Sequence, residues 1–311
     1  MNREQTCTTN PFAPPARVFK RRAPNKIASW LLAGALAVAG TAWPADAWAK
    51  VSLVFGTYSS DKPSAMVAQL RPSLDDIARS MAAILDEEVE INMKVVRSYD
   101  DGVALIAEGQ VDFMRLGPAS YVRAKDDNPG ISVLAMGNKR GAKQFNGVIA
   151  VHEDSDITEV DQLAGRTFAF GSKRSTLGRF FSQLYLMRHG VYAHDLARYE
   201  YLGRHDKVGQ AVGSGLFDAG ALEGTTFAKL VKKGVPIRAI AQFTNSTRPW
   251  VARAGLKPEI AEALCQAMLE LSEPDALKAL RFDGFLAGDD RDYEKTREAI
   301  RENHRFFAQQ D

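Results

Sequence analysis

The sequence predicts an α/β protein of two similar lobes with a cleft between them. Short apolar or alternating strand patterns and 3.6-period helical patterns succeed one another along most of the chain. The rhythm restarts after about Asn146, and one segment is echoed: Ala107-Glu-Gly-Gln-Val-Asp-Phe parallels Gly213-Ser-Gly-Leu-Phe-Asp-Ala. Strands in both halves end in loops of Gly, Ser, Thr, Tyr and His, and α/β sheets gather ligands at the carboxyl ends of their strands.

The first 49 residues stand apart from that pattern. Lys20, Arg21, Arg22 and Lys26 precede an apolar run from Ile27 to Trp43 and the small-x-small sequence Ala47-Trp48-Ala49. This is the layout of a secretory signal cleaved after Ala49. The run is shorter than the ~20 residues that a spanning helix needs, so an uncleaved anchor is the less favoured alternative. Ala23-Pro24-Asn25 after the arginine pair fits twin-arginine export poorly, so general secretion is expected. The segment holds six Lys/Arg and two Asp/Glu, and its removal takes the formal net charge from +2 to −2. The basic character thus belongs to the export signal and gives no footing for a nucleic-acid surface. Cys7 leaves with the signal, and Cys265 stands on a buried-looking helical pattern with Leu264 and Met268.

In the first half, strands are expected at Val51–Phe55, Glu90–Val96 and Val111–Leu116. A helix from about Ser64 to Leu85 places Met66, Leu70, Leu74, Ile77, Met81 and Ile84 on one face, with Pro72 kinking it. Ser98, with Asp101 three residues on, opens a second helix that Gly109 stops, and Pro118 suits the first turn of a third. This order predicts a parallel sheet with helices on both faces, which puts Tyr58 and the Ser120–Tyr121 pair at strand ends.

The second half is expected to carry strands at Gly147–His152, Thr167–Phe170, Arg198–Leu202, about Asp218–Leu222 and Ile237–Phe243, with helices between them. A helical tail follows from Lys257. Two crossings between the lobes are expected near Asn146 and near Thr244. The lobes are then residues 50–146 plus 245–311, and residues 147–244.

The most informative stretch is Arg166–Gly178. A buried strand, Thr167–Phe170, is broken by Gly171, and Ser172–Thr176 supplies hydroxyls and positive charge before a helix carrying Phe180, Phe181, Leu184, Tyr185 and Met187. A strand, a polar loop and a helix start present free N–H groups at the positive end of a dipole, which suits an anion. Taken by itself, the stretch favours the plainer reading, in which Ser172 or Ser175 is only an N-cap. No Gly-x-Ser-x-Gly elbow, His-Glu-x-x-His pair or Gly-Lys-Ser/Thr phosphate-loop ending is present, so hydrolysis is not expected. His152-Glu153-Asp154 reads as a solvated strand end rather than a metal site. His205, in a Gly-Arg-His-Asp turn, can donate to an oxyanion. Glu223 is the odd member, because a carboxylate repels an ionised ligand unless that ligand keeps a proton or carries a cationic group.

Taken together, the chain resembles the periplasmic substrate-binding proteins of the phosphate/phosphite/phosphonate ABC-transporter family. The resemblance rests on Gly56-Thr57-Tyr58, on Val111–Tyr121 (Val-Asp-x-x-x-Leu-Gly-Pro-x-Ser-Tyr), on Thr167–Gly171 with Ser175–Gly178, on Gly203–Asp206 and on Phe217–Ala221. It implies a type II periplasmic-binding-protein fold, two lobes joined by a hinge of two crossing strands. It further implies that Tyr58, Ser120, Tyr121, Ser175, Thr176, Leu177, His205 and Glu223 line the cleft. Leu177 replaces a family Ser and keeps only its backbone N–H, and Arg248 stands where an acid often receives a ligand ammonium. A small, wholly anionic ligand is therefore expected: phosphite, phosphate, methylphosphonate or an arsenic oxyanion. The implied role is ligand capture in the periplasm by a monomer, without metal or cofactor and without catalysis, and delivery to an ABC permease. The alternative is presentation to a membrane sensor kinase, and an enzyme on the same fold is the less favoured reading.

Overall fold

The computed structural model describes residues 50–58, 63–280 and 282–308; the expected export signal lies outside the described residues. Its first half runs β1 (Lys50–Tyr58), α1 (Pro63–Leu85), β2 (Glu88–Val96), α2 (Tyr99–Ala107), β3 (Phe113–Arg115), α3 (Pro118–Asp127) and β4 (Ser132–Gly137). The second half runs β5 (Gln144–His152), β6 (Thr167–Phe170), a π-helical turn at Thr176–Phe181, α4 (Ser182–Arg188), β7 (Arg198–Tyr201), α5 (His205–Gly213), β8 (Ala219–Glu223), α6 (Gly224–Lys232) and β9 (Ile237–Ser246). Then come β10 (Pro249–Ala252), α7 (Pro258–Leu269), α8 (Pro274–Leu280), β11 (Phe285–Leu286) and α9 (Glu294–Arg301). Between β5 and β6 the expected helix is a single 3-10 turn at Asp161–Leu163.

Two sheets form, in the orders β11-β4-β10-β3-β1-β2 and β7-β6-β8-β5-β9. Both are mixed rather than parallel. β1 pairs in parallel with β2 and β3, and β6 with β7 and β8. β10 returns antiparallel between β3 and β4, and β5 runs antiparallel to both β8 and β9. Among the described residues, two stretches pass between the sheets before the tail: from β4 into β5, and from β9 into β10. Asn146 and Thr244, expected at the crossings, are directly paired across β5 and β9.

The echoed segments prove to be one device used twice. Gly109 and Gly215 adopt φ of 70° and 72° beyond α2 and α5, a left-handed conformation that costs glycine nothing. The aspartate that follows then serves the neighbouring strand. Asp112 accepts from the Val54 N–H at 2.8 Å, and Asp218 from the Thr167 N–H at 2.8 Å. Each carboxylate satisfies a strand N–H that the sheet leaves over.

Apolar faces close each sheet. Leu70, Leu74, Ile77 and Met81 of α1 are fully buried, whereas Ile84, expected on the same face, is exposed at the helix end. Pro72 sits inside α1 without ending it. Trp250 is fully buried and stacks on Phe55 with centroids 4.8 Å apart. Cys265 is buried as well, its Sγ 3.2 Å from the Leu134 carbonyl oxygen. The tail, expected with the first lobe, touches both cores. Tyr293 joins Tyr121 in the first core, while Ala299 and Phe306 pack with Phe168 and Phe170 in the second. Among the described residues no helix is long and apolar enough to cross a membrane.

Candidate functional site

The loop after β6 is folded tightly on itself. The Gly171 N–H donates to the Gly178 carbonyl at 2.8 Å, and a Cβ on Gly178 would come within 2.8 Å of the Gly171 Cα. Only glycine permits that approach. Ser175 opens the π-helical turn as its N-cap, with Oγ accepting from the Gly178 N–H at 2.9 Å. The Ser175 carbonyl then takes both the Arg179 and Phe180 N–H groups, at 3.1 and 3.3 Å, which widens the turn. The capping role offered by the sequence is therefore real, and it places Ser175 and Thr176, both buried, at a helix start.

The first half supplies the facing wall. Tyr58 ends β1, and its hydroxyl accepts from the Gly117 N–H at 2.7 Å and lies 3.2 Å from Ser120 Oγ. Its ring packs against Tyr99 with centroids 4.6 Å apart. Gly102 makes room for that ring, since a Cβ there would sit 2.5 Å from Tyr58 Cδ1. Tyr99 is the first residue of α2, whose N-cap Ser98 accepts from the Asp101 N–H at 3.0 Å, as the sequence predicts. Burial pushes the Tyr99 phenol well above its usual range, with Tyr58, Arg248, Glu223 and the Ser175 hydroxyl around it.

The two walls touch. The Ala119 N–H, in the first turn of α3, donates to Thr176 Oγ1 at 3.0 Å. At the rim, Arg174 reaches Asp100 at 3.1 Å, and Asp100 also receives Arg123 at 2.7 Å. These exposed pairs fix orientation more than they stabilise.

His205 begins α5 and Glu223 ends β8. Burial pushes the His205 imidazole below its ordinary pKa, against the pull of Glu223. Its Nδ1 is buried and has no hydrogen-bond partner among the described residues. It lies next to Gly171, where a Cβ would come 3.5 Å from it. Burial alone would raise the Glu223 carboxyl, but Arg248, His205 and the Thr225 hydroxyl together hold it below its usual range. Arg248 Nη2 stands 4.0 Å from Glu223 Oε2. The carboxylate that looked out of place in the sequence thus has its counter-charge within the protein.

Two expected residues are placed otherwise. The Tyr121 side chain is fully buried in the first core, and its hydroxyl donates to Asp290 at 2.6 Å. Leu177 is buried in the second core beside Gly147 and Phe243, so its side chain is committed to packing. Tyr99 was missed. Its signal was available, because it follows a strand and opens a helix just as the other candidates do. Tyr99, Ser120, Thr176 and His205 all lie in the first turn of a helix, and Glu223 caps one. There the backbone N–H groups lack intrahelical partners and the dipole favours anions.

Comparison with known proteins identifies the family. The family model described as "ABC transporter, phosphonate, periplasmic substrate-binding protein" matches residues 55–293. A probable ABC transporter phosphite-binding protein, PhnD1 of Prochlorococcus marinus, is 26% identical over 192 residues, covering 55% of this chain and 63% of that protein. The chain thus spans somewhat less than two thirds of that relative's length. The solved structure of PhnD1 with methylphosphonate superposes with a TM-score of 0.68 at 22% identity, over 81% of this chain and 97% of that one. A Xanthomonas citri protein, XAC2383, bound to chloride gives a TM-score of 0.68 at 24% identity, over 82% and 98%. These likenesses show the two-lobed periplasmic-binding-protein fold. The chain belongs to the family of periplasmic substrate-binding proteins of phosphonate ABC transporters.

Proposed function

We propose that the protein captures a small phosphorus oxyanion (phosphite, phosphate or a simple phosphonate) between two lobes in the periplasm and delivers it to an ABC permease. The lobes are residues 50–146 plus the segment from 245 onward, and residues 147–244, hinged where β5 and β9 leave the second sheet. The observation that carries the reading is the meeting of helix starts from both halves across the Ala119–Thr176 contact. A ligand oxygen entering there exchanges that bond for bonds to Thr176, Ser175 and the neighbouring N–H groups. Tyr58, Tyr99, Ser120 and His205 then complete a shell of donors, and Glu223 faces the ligand with its charge offset by Arg248.

Hydrogen bonds to a charged group contribute about 1.5–3 kcal/mol each. Several of them reach micromolar affinity, about 8 kcal/mol. Binding both lobes at once favours the closed form by population shift. The Glu223–Arg248 pair favours a ligand without an ammonium group, since the carboxylate is already engaged. Calorimetric titration with phosphate, phosphite, methylphosphonate, aminoethylphosphonate, arsenite and sulfate tests the reading. Heat is expected from phosphorus oxyanions and not from sulfate; silence across the whole series would end it.

A further inference from the structure

A buried polar chain connects the C-terminal tail to the loop after β6. Asn303, only 5% exposed, lies in the 3-10 turn Glu302–Phe307 that follows α9. Its Oδ1 accepts from Arg179 Nη2 at 2.7 Å. Its Nδ2 donates to Gln183 Oε1 at 2.6 Å, and Gln183 Nε2 donates to the Tyr201 hydroxyl at 2.8 Å. The direction of the chain is forced. A guanidinium can only donate, so Asn303 must present its oxygen to Arg179 and its amide to Gln183.

Arg179 is what this chain holds in place. Its Nη1 donates to the Lys173 carbonyl at 2.8 Å, in the middle of the loop. Inside the loop, the Ser175 N–H donates to the Ser172 carbonyl and the Arg174 N–H to Ser172 Oγ. Those bonds shape the turn but do not tie it to the rest of the protein. The guanidinium also lies over the rings of Phe180, Tyr201 and Phe307, at 4.9, 5.9 and 5.8 Å. The tail thus supplies both the acceptor Asn303 and one of the rings. At its other end it is fastened beside the crossings, where Ser246 Oγ donates to the Asp292 carbonyl at 2.6 Å and the Tyr293 hydroxyl to the Thr247 carbonyl at 3.0 Å.

We infer that Asn303 is a positioning residue: through Arg179 it sets the conformation of the Ser172–Thr176 loop before any ligand arrives. Loop order of this kind is preorganisation, because it removes an ordering cost from the binding step. The effect on affinity rests on the oxyanion reading of the loop; the effect on the loop itself does not.

The test uses the exported protein with Asn303→Ala and Asn303→Asp. Amide hydrogen exchange of Gly171, Arg174, Ser175 and Gly178 is read without ligand. Asn303→Ala is expected to speed exchange at these amides several-fold, while Asn303→Asp, which keeps the acceptor for Arg179 and loses the donor to Gln183, restores protection. Methylphosphonate or phosphite affinity should fall about three- to tenfold in the alanine variant, the net worth of one hydrogen bond, and recover in the aspartate variant. Unchanged loop exchange in Asn303→Ala, or equal loosening in both variants, overturns the inference. Should the alanine variant fail to fold, Arg179→Lys loses the fork that reaches both Lys173 and Asn303, and must loosen the same amides. If wild-type protein binds no oxyanion, the reading of the site falls, and the exchange result still decides the positioning role.

Discussion

The backbone N–H of Ala119 donates to Thr176 Oγ1 at 3.0 Å, joining the first turn of α3 to the π-helical turn after β6. The two residues are 57 apart in sequence and stand in helical turns that follow strands of different sheets, β3 and β6. Both atoms are buried, so the bond is made where water does not compete freely. In the proposed function it is the contact that a ligand oxygen takes over.

Thr176→Val keeps the branched shape and deletes the acceptor. The Ala119 N–H is then left without its partner in the bridged form, at a cost of about 1–3 kcal/mol. Oxyanion affinity should fall roughly tenfold or more, and the unliganded protein should become more open. Calorimetry reads the first effect and small-angle scattering the second. A variant that binds and scatters like wild type would remove Thr176 from the cleft.

Gly102→Ala separates site geometry from stability. A Cβ at Gly102 would sit 2.5 Å from the Tyr58 ring, so the ring must move. Alanine is the better helix former by about 1 kcal/mol inside α2. Thermal unfolding should therefore change little, while oxyanion binding weakens severalfold. Equal affinity in the variant would show that the Tyr58 hydroxyl does not need its present seat.

The Arg248–Glu223 pair predicts a non-additive double mutant. Arg248→Gln removes the main counter-charge to Glu223, lets its pKa rise, and should weaken anion binding more at pH 8 than at pH 5. Adding Glu223→Gln should recover much of the loss, since the repelling carboxylate is gone. Strict additivity of the two substitutions in titrations at both pH values would deny the coupling.

His205 makes stability and binding respond to pH in opposite ways. Its pKa is lowered in the folded protein, chiefly by burial, from an ordinary 6.5. The unfolded chain therefore takes up a proton first. This contribution to stability is complete above about pH 6.5 and is lost as pH falls through the lowered folded value. A bound anion works against that lowering, as Glu223 already does and Arg248 does not. Binding should thus take up a proton as pH drops below 6.5, visible as a buffer-dependent heat. His205→Gln should abolish both dependences; if the buffer dependence persists, another group carries the proton.

Much of the framework was legible from residue order. The strand Thr167–Phe170 has the bounds that residue order predicts. The strands β4, β10 and β11 escaped notice. β10 is four residues long and starts with a proline, and β11 has only two residues, so neither displays a period. Their antiparallel insertion is what turns an expected parallel sheet into a mixed one.

The site divides in the same way. Tyr58 ends a strand, Tyr99 and Tyr121 follow strands in sequence, and nothing local tells their phenols apart. Asp290, 169 residues further on, draws the Tyr121 hydroxyl into the core, while the ring of Tyr58 is seated by Gly102 and packs on Tyr99. Residue order alone determined the alternation of strands and helices, the glycine-punctuated loop before Thr176 and the clustering of donors at helix starts, because these follow from local propensity and periodicity. Only the tertiary structure decided which side chains face one another, that Glu223 is balanced by Arg248 and that the tail reaches the loop through Asn303. Those outcomes depend on contacts between segments far apart in the chain, which no local pattern encodes.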